Sequence, residues 1–494
     1  MLEREVKLTA TSSFRLPPLD ELADGVDAVT VAPQRLSATY YDTDDLRLAR
    51  WGASMRRRTG EGWTVKLPVA AAGQLLAREE VTVPGPDGRP PKAAVDLVTA
   101  YARTAPLRPQ VRLRTIRRRI QLHDPQGRVL AELLDDEVSV LDGRRIATRF
   151  RELEVEARQD TPSGLLDEIA LRLREAGAAA SQATPKGARA LGPRASGPPD
   201  VCVPKLPPRA TAGDVVRRAV AASVVRLIRH DAGVRLDRDP EDVHQARVAT
   251  RRLRSDLRTF RSLVQPEWAS GLREELGWLA DVLGTVRDAD VMLQRMRRLA
   301  DRLTEESRGR AAAVLTTLEE ARKEARAELL EALEGSRYLA LLDELVEAAN
   351  VPMLTAEAEA PAKDVLPRLV RQPLRALRRQ VKGFRGDPAE DELHQARIRA
   401  KRVRYAAEAV APVVGRRARA VARAAAGLQD VLGEHQDAVV AERWLRAWGQ
   451  RCRSVPGAFA AGELAGLELA AARDARARWR DAWRALSDRR GGWS

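Results

Sequence analysis

The chain has 494 residues, enough for two or three domains that each bury a core of their own, so no disulfide or metal staple is demanded by size. Lys and Arg outnumber Asp and Glu by 85 to 70, and the split is 31 against 28 up to residue 200 but 54 against 42 after it. A basic excess concentrated in the second part points to a polyanion partner: nucleic acid, polyphosphate or an anionic membrane. Cys202 and Cys452 form no CxxC pattern, which excludes a disulfide framework or a zinc cluster and makes a reducing cytoplasm the expected compartment. The first residues, MLEREVKL, are charged from the third position, and no run of 18 apolar residues occurs, so neither a signal peptide nor a membrane span is expected. Aromatic residues, at 4%, give little support to a surface that stacks exposed bases.

Up to residue 195 the sequence alternates charged and apolar residues with period two, the signature of strands. Glu3, Glu5 and Lys7 share one face in LEREVKL, and Arg56 and Arg58 do so in SMRRRTG. Lys66 alternates with Val65 and Leu67, Arg78 and Glu80 follow in REEVTV, Arg117 and Arg119 flank Arg118 in TIRRRIQL, and Glu152, Glu154 and Glu156 alternate in RELEVEA. A single charged strand face is usually solvated. Six of them, acidic at both ends and basic between, are what a sheet closed around a metal-bound polyanion needs, with carboxylates for the cation and Arg or Lys for phosphate oxygens. Helices over Leu165–Ala176 and Ala93–Tyr101 are expected to cover its apolar outside. No GxxxxGK[ST] loop and no Ser-His-Asp or Cys-His arrangement is apparent.

These residues carry a resemblance. The ExExK of Glu3, Glu5 and Lys7 is similar to the opening strand of the CYTH family, the triphosphate tunnel metalloenzymes. YYDTDDLRL from Tyr40, Arg56 and Arg58 followed by Lys66, the ExE of Glu152 and Glu154, and KGARAL from Lys186 follow in the family's order over nearly 190 residues. The resemblance implies an eight-stranded antiparallel β-tunnel that hydrolyses a linear triphosphate with Mg2+ or Mn2+. It further implies that Glu3, Glu5, Glu152 and Glu154 hold metal, and that Glu3, Glu5 and Lys7 are catalytic. Lys7, Arg56, Arg58, Lys66, Arg117 and Lys186 would hold phosphate oxygens. The family's further acidic ligand corresponds to Glu132, Asp135 or Asp136; Asp136 is preferred because it shares parity with Glu132. Pro185 stands where the family has a serine before the late lysine.

Residues 196–212 are Pro-rich and aperiodic, a stiff connector between a first domain at 1–195 and a second at 213–490. The second part has helical spacing throughout, so the fold class is α+β multidomain with an all-α C-terminal bundle. In EDVHQARVATRRLRSDLRTF, residues His244, Arg247, Arg251, Arg254 and Arg258 fall on one helical face, opposite Ala246, Ala249, Leu253, Leu257 and Phe260. DELHQARIRAKRVRYAAEAV repeats the stripe as His394, Arg397, Lys401 and Arg404, with Glu408 in the place of Arg258. LADVLGTVRDADV from Leu279 is echoed by LQDVLGEHQDAVV from Leu428. Two motifs repeated in one order make a duplicated bundle, about 213–350 and 361–490. This part resembles the CHAD domain, a conserved-histidine helical domain that often follows a CYTH domain and binds inorganic polyphosphate; the nine stripe residues would line that surface. The motif aspartates are expected to orient the basic side chains, and His230 and His435 to be bystanders. The expected function is metal-dependent hydrolysis of inorganic triphosphate or a related compound, with polyphosphate held by the helices. A catalytically idle polyphosphate-binding protein is the alternative, adenylate cyclisation stays open, and nucleic acid is the weaker partner.

Overall fold

The computed structural model describes residues 5–19, 26–68, 78–158, 161–180 and 185–490, and divides into two compact units, Met1–Asp200 and Val201–Ser494. In the first unit the period-two segments form β1 (Glu5–Ala10), β2 (Asp27–Asp42), β3 (Ser54–Arg58), β4 (Gly62–Pro68), β5 (Arg78–Val83), β6 (Arg108–His123), β7 (Val129–Asp142), β8 (Arg145–Ala157) and β9 (Ala179–Ala180). They make one antiparallel sheet in the order β5-β4-β3-β2-β6-β7-β8-β1-β9. Among the described residues nine strands replace the expected eight because the chain, returning beyond its covering helix, pairs Ala179 and Ala180 with the edge of β1.

Register decides which face each charge takes. Lys7 pairs with Glu154 and Glu5 with Glu156, so these four project to one side of the sheet while Val6, Leu8, Leu153 and Val155 project to the other. The apolar side forms the core with Leu122, Leu133, Leu165, Ile169 and Leu173, the last three from the helix Leu165–Glu175. Each such aliphatic side chain withdrawn from water contributes about 1.5–3 kcal/mol. The unit is therefore apolar outside its sheet, under a helix, and charged within. Among the described residues it carries the helices α1 (Arg47–Arg50), α2 (Lys92–Asp96), α3 (Thr99–Ala102), α4 (Leu165–Glu175) and α5 (Lys186–Leu191). The single helix expected over Ala93–Tyr101 is broken into α2 and α3, because Val98 leaves helical geometry at φ −114°, ψ 7°.

The Pro-rich stretch is fastened rather than free. Asp200 accepts hydrogen bonds from Trp51 and Arg103 in the first unit, and Arg218 donates to the Pro204 carbonyl within the second.

The second unit is helical: α6 (Ala212–Leu236), α7 (Pro240–Thr259), α8 (Pro266–Ala300), α9 (Glu305–Glu334), α10 (Ser336–Asn350), α11 (Ala362–Lys382), α12 (Glu390–Val414), α13 (Arg416–Arg451) and α14 (Val455–Ser487). Local signals start them: Thr211 and Asp214 form a capping box at α6, and Asp239 caps α7 ahead of Pro240 at its first position. The two basic stripes lie on α7 and α12, and the DVLG motifs on α8 and α13, so the repeat spans equivalent helix pairs. Ala246, Ala249, Leu253, Leu257 and Phe260 are all buried, as the helical projection requires. Among the described residues no helix is long and apolar enough to cross a membrane.

Candidate functional sites

A cavity of about 160 Å³ opens on the charged face of the sheet. Glu5 and Lys7 of β1 and Glu80 of β5 both line it, although these strands stand near opposite ends of the strand order, so the sheet curls around it. Arg56, Arg58, Lys66, Arg117, Glu154 and Lys186 complete most of the charged wall. Asp136 and Glu152 are fully buried and meet that wall through Lys186. Of the three carboxylates weighed on β7, Asp136 bonds Arg117 and Lys186, Asp135 turns to Arg151, and Glu132 is held by Gln121 and Arg158. Glu3 lies outside the described residues.

The cavity is a network of paired charges. Lys7 Nζ lies 2.7 Å from Glu154 Oε1 and 3.3 Å from Glu5, and Lys186 Nζ lies 2.5 Å from Asp136, 3.3 Å from Glu152 and 3.5 Å from Glu154. Arg117 bonds Asp136 at 2.8 and 2.6 Å through a two-pronged contact. Burial pushes the Glu154 carboxyl up, but Lys186 and Lys7 outweigh it and hold Glu154 well below the carboxylate range. Burial likewise opposes, and Arg117 and Lys186 overcome, the shift of Asp136, which is lowered. Glu152 goes the other way: burial dominates, Lys186 offsets only part of it, and its pKa is raised.

Glu152 is the observation that bears on a metal. Neither of its two buried oxygens makes a hydrogen bond, and its ion-pair partner Lys186 Nζ stands 3.3 Å from one of them, so a hard cation would satisfy oxygens that Lys186 leaves open. The donor chemistry therefore fits a divalent ion, with Glu5, Glu152 and Glu154 as oxygen donors. Among the described residues no three such side chains are arranged to hold a metal ion; Asp136, Glu152 and Glu154 converge instead on the Lys186 ammonium.

Sequence reasoning set Glu80 on a charged strand face without giving it a role in the site, and gave none to Tyr40, Ser54 or Gly187; all four line the cavity. Tyr40 pairs in register with Arg56; burial raises its phenol pKa, but Arg56, Lys186 and Arg58 more than reverse this. A Cβ on Gly187 would stand 2.6 Å from the Tyr40 ring, so glycine after Lys186 makes room for the tyrosine. Glu80 faces Lys66 across β4 and β5 at 2.5 Å, a partner that strand register decides. Asp42, in contrast, accepts the amides of Thr43, Leu48 and Ala49 and so builds the turn into α1.

In the second unit the two stripes converge. Arg251 feels Arg247, Arg404 and Arg397, and Lys401 feels Arg397, Arg251 and Arg247. Burial first, then these guanidiniums, push the Lys401 ammonium down to about 8. Burial and then Arg287, together with Arg251 and Arg247, likewise lower His244. Arg247 donates to the Gly284 carbonyl at 2.9 Å and to Asp288 at 2.7 Å; Arg397 meets Asp437 at 3.5 Å in the second copy. The motif aspartates Asp288 and Asp437 thus orient arginines, and the guanidiniums lie over Gly284 and Gly433. His394 Nδ1 is 3.0 Å from Gln436. Glu408 bonds both Arg404 and Arg252, so the second copy is neutralised where the first ends in Arg258. Arg254 lies against Gly277, and Arg258 neighbours Arg254, Arg273 and Arg402 instead of the Lys401 cluster. His230 bonds Asp242, and His435 is buried.

The family model for the CYTH domain matches residues 1–188, and that for the CHAD domain matches residues 218–446. Over 471 residues the chain is 34% identical to the uncharacterized protein Rv2226 of Mycobacterium tuberculosis strain H37Rv, covering 90% of this chain and 88% of that one. Among solved structures, PptA from Streptomyces chartreusis is 26% identical with a TM-score of 0.47, covering 56% of this chain and all of that one. The CHAD domain from the plant Ricinus communis is 25% identical with a TM-score of 0.47, covering 58% and 95%.

Proposed function

The chain belongs to the family in which a CYTH domain precedes a CHAD domain, and on that premise we propose that the first unit hydrolyses inorganic triphosphate or a related triphosphate compound with a divalent metal, while the second binds inorganic polyphosphate. The observation that carries this reading is the cavity wall, where Lys7, Arg56, Arg58, Lys66, Arg117 and Lys186 surround a space bordered by Glu5 and Glu154. A phosphoanhydride needs positioning and charge neutralisation more than covalent help, because the transferring group carries its charge on peripheral oxygens. Arg56, Arg58 and Lys66 grip the phosphate chain. Lys7 and Lys186 exchange carboxylate for phosphate partners as the chain enters, freeing Glu154 and Glu152. Glu5, Glu152 and Glu154, together with Asp136 and, by the family resemblance, Glu3, would hold a divalent cation that would supply charge neutralisation and acidify water; Mg2+ or Mn2+ suits these oxygen donors. Phosphate release from tripolyphosphate with Mg2+ tests this: Glu5→Gln should lower the rate about tenfold or more, and equal rates would remove the catalytic assignment.

On α7 and α12 the polyphosphate ligands are His244, Arg247, Arg251, Arg254, Arg258, His394, Arg397, Lys401 and Arg404. Arg251 Nε and Arg397 Nε are buried with no partner, which an anionic oxygen would satisfy. Arg251→Ala with Lys401→Ala should weaken polyphosphate binding about tenfold or more. A specific observation also favours the idle-tunnel alternative: the carboxylates are already neutralised by lysine and arginine. Wild-type protein that binds tripolyphosphate in Mg2+ or Mn2+ but releases no phosphate would establish it.

A further inference from the structure

A second cavity, of about 520 Å³, lies between the end of α7, the middle of α11 and α12. That volume is in the range of a small-molecule site, roughly 300–1,000 Å³. Its rim carries Arg258, Arg261, Arg399 and Arg402, and Arg368 adds a fifth guanidinium whose partner is Glu357, the one carboxylate among the lining residues. Arg261 and Arg399 are held by neutral acceptors, the Gln372 side chain and the Ala376 carbonyl, so their charge is uncompensated. Burial and the neighbouring Arg402, Arg273 and Arg254 make the charged state of Arg258 costly. Such crowding asks for an anion, and planar guanidiniums fit phosphate oxygens in pairs.

The floor asks for something else. Leu369 and Pro373 of α11 and Tyr405 of α12 border the same space. Pro373 has no N–H for the Leu369 carbonyl one turn earlier, which frees an acceptor there. Tyr405 is 6% exposed, and its buried hydroxyl has no hydrogen-bond partner. Inorganic polyphosphate is charged along its whole length and has no use for an apolar floor or for an acceptor carbonyl. A flat, weakly polar body joined to phosphates uses all three features.

We propose that the cavity between α7, α11 and α12 is a nucleotide site: Arg399 and Arg402 hold the phosphates, and the base lies against Leu369, Pro373 and the Tyr405 ring. Tyr405 is also flanked by Arg251 and Arg404, with guanidinium carbons 5.6 and 6.0 Å from its ring, so the site abuts the basic stripe. The test is calorimetric titration of the full chain with ADP, pyrophosphate and adenosine. In the binding that Arg402→Glu removes, ADP should be at least about tenfold tighter than either fragment, and Arg399→Ala with Arg402→Ala should weaken ADP about tenfold or more. Because Arg402 is exposed, Arg402→Glu alone provides a variant whose fold is not at stake and should give the same loss. Tunnel variant Arg56→Ala should leave ADP affinity unchanged. Pyrophosphate binding that is as tight as that of ADP and is likewise lost in Arg402→Glu, ADP binding untouched by Arg402→Glu, ADP binding abolished by Arg56→Ala, or no ADP binding at millimolar concentration would each overturn the assignment.

Discussion

Lys186 shows how much one side chain decides in the first unit. Its ammonium faces Asp136, Glu152 and Glu154, and each of these carboxylates is almost wholly buried. Removing one partner of a buried ion pair costs about 3–5 kcal/mol, since the other charge is left without compensation. Lys186→Met is therefore expected to lower the unfolding free energy read from denaturant titration by that order, and to lose less when Mg2+ is present. The sign with pH follows from Glu154, whose folded pKa lies below its unfolded one. Its contribution is complete above the unfolded carboxylate range and is lost as pH falls through the folded value. Lowering the pH should accordingly remove more stability from the wild type than from Lys186→Met, in which that contribution is already largely absent. Gly187→Ala should also destabilise, by about 1–3 kcal/mol as an overpacked site does, because the added methyl would meet the Tyr40 ring at 2.6 Å.

At the level of elements, α7 and α12 bring the cations of both repeats into one electrostatic neighbourhood. Lys401 reports this. With its ammonium pushed down to about 8 among Arg397, Arg251 and Arg247, and only Asp437 opposing, it loses charge just above neutrality. Binding of polyphosphate by the wild type should weaken between pH 7 and pH 9, and a Lys401→Arg variant should show a flatter profile over the same interval. The same depressed pKa makes folding stability of the unliganded protein rise with pH from about 8 towards the unfolded lysine value. Arg295 on α8 supplies the structural counterpart by bonding Glu468 on α14 and Glu434 on α13. Glu468 is fully buried, so Arg295→Leu should cost about 3–5 kcal/mol in chemical denaturation.

For the whole molecule, two kinds of phosphate-ready surface are built on different physics. The first unit uses a sheet whose two faces are sorted by parity, and the second a duplicated helix pair whose faces are sorted by the 3.6-residue period. Each arrangement is local to its own unit, so the two proposed activities should respond to separate substitutions. Glu5→Gln is expected to reduce tripolyphosphate hydrolysis while leaving polyphosphate affinity within about twofold, as sites with no shared partners add independently; parallel assays on one preparation check this.

Periodicity was enough to place Glu5, Lys7, Arg56, Lys66, Arg117 and Glu154 on charged strand faces, and His244 to Arg258 on one helical face, because side-chain direction is fixed by strand or helix geometry alone. The repeat at His394 was legible for the same reason. Pairing was not legible. That Asp136 and Glu152 are buried behind Lys186, that Glu408 neutralises Arg404 and Arg252, and that Tyr40 needs Gly187 are contacts between residues up to 156 positions apart. Such contacts depend on strand register and helix packing, which no local pattern encodes. The sequence by itself determined the strand-then-helix order, the charged faces and the duplication. Only the tertiary structure decided which charges meet, which are left without partners, and where the arginines of α7, α11 and α12 enclose a second cavity.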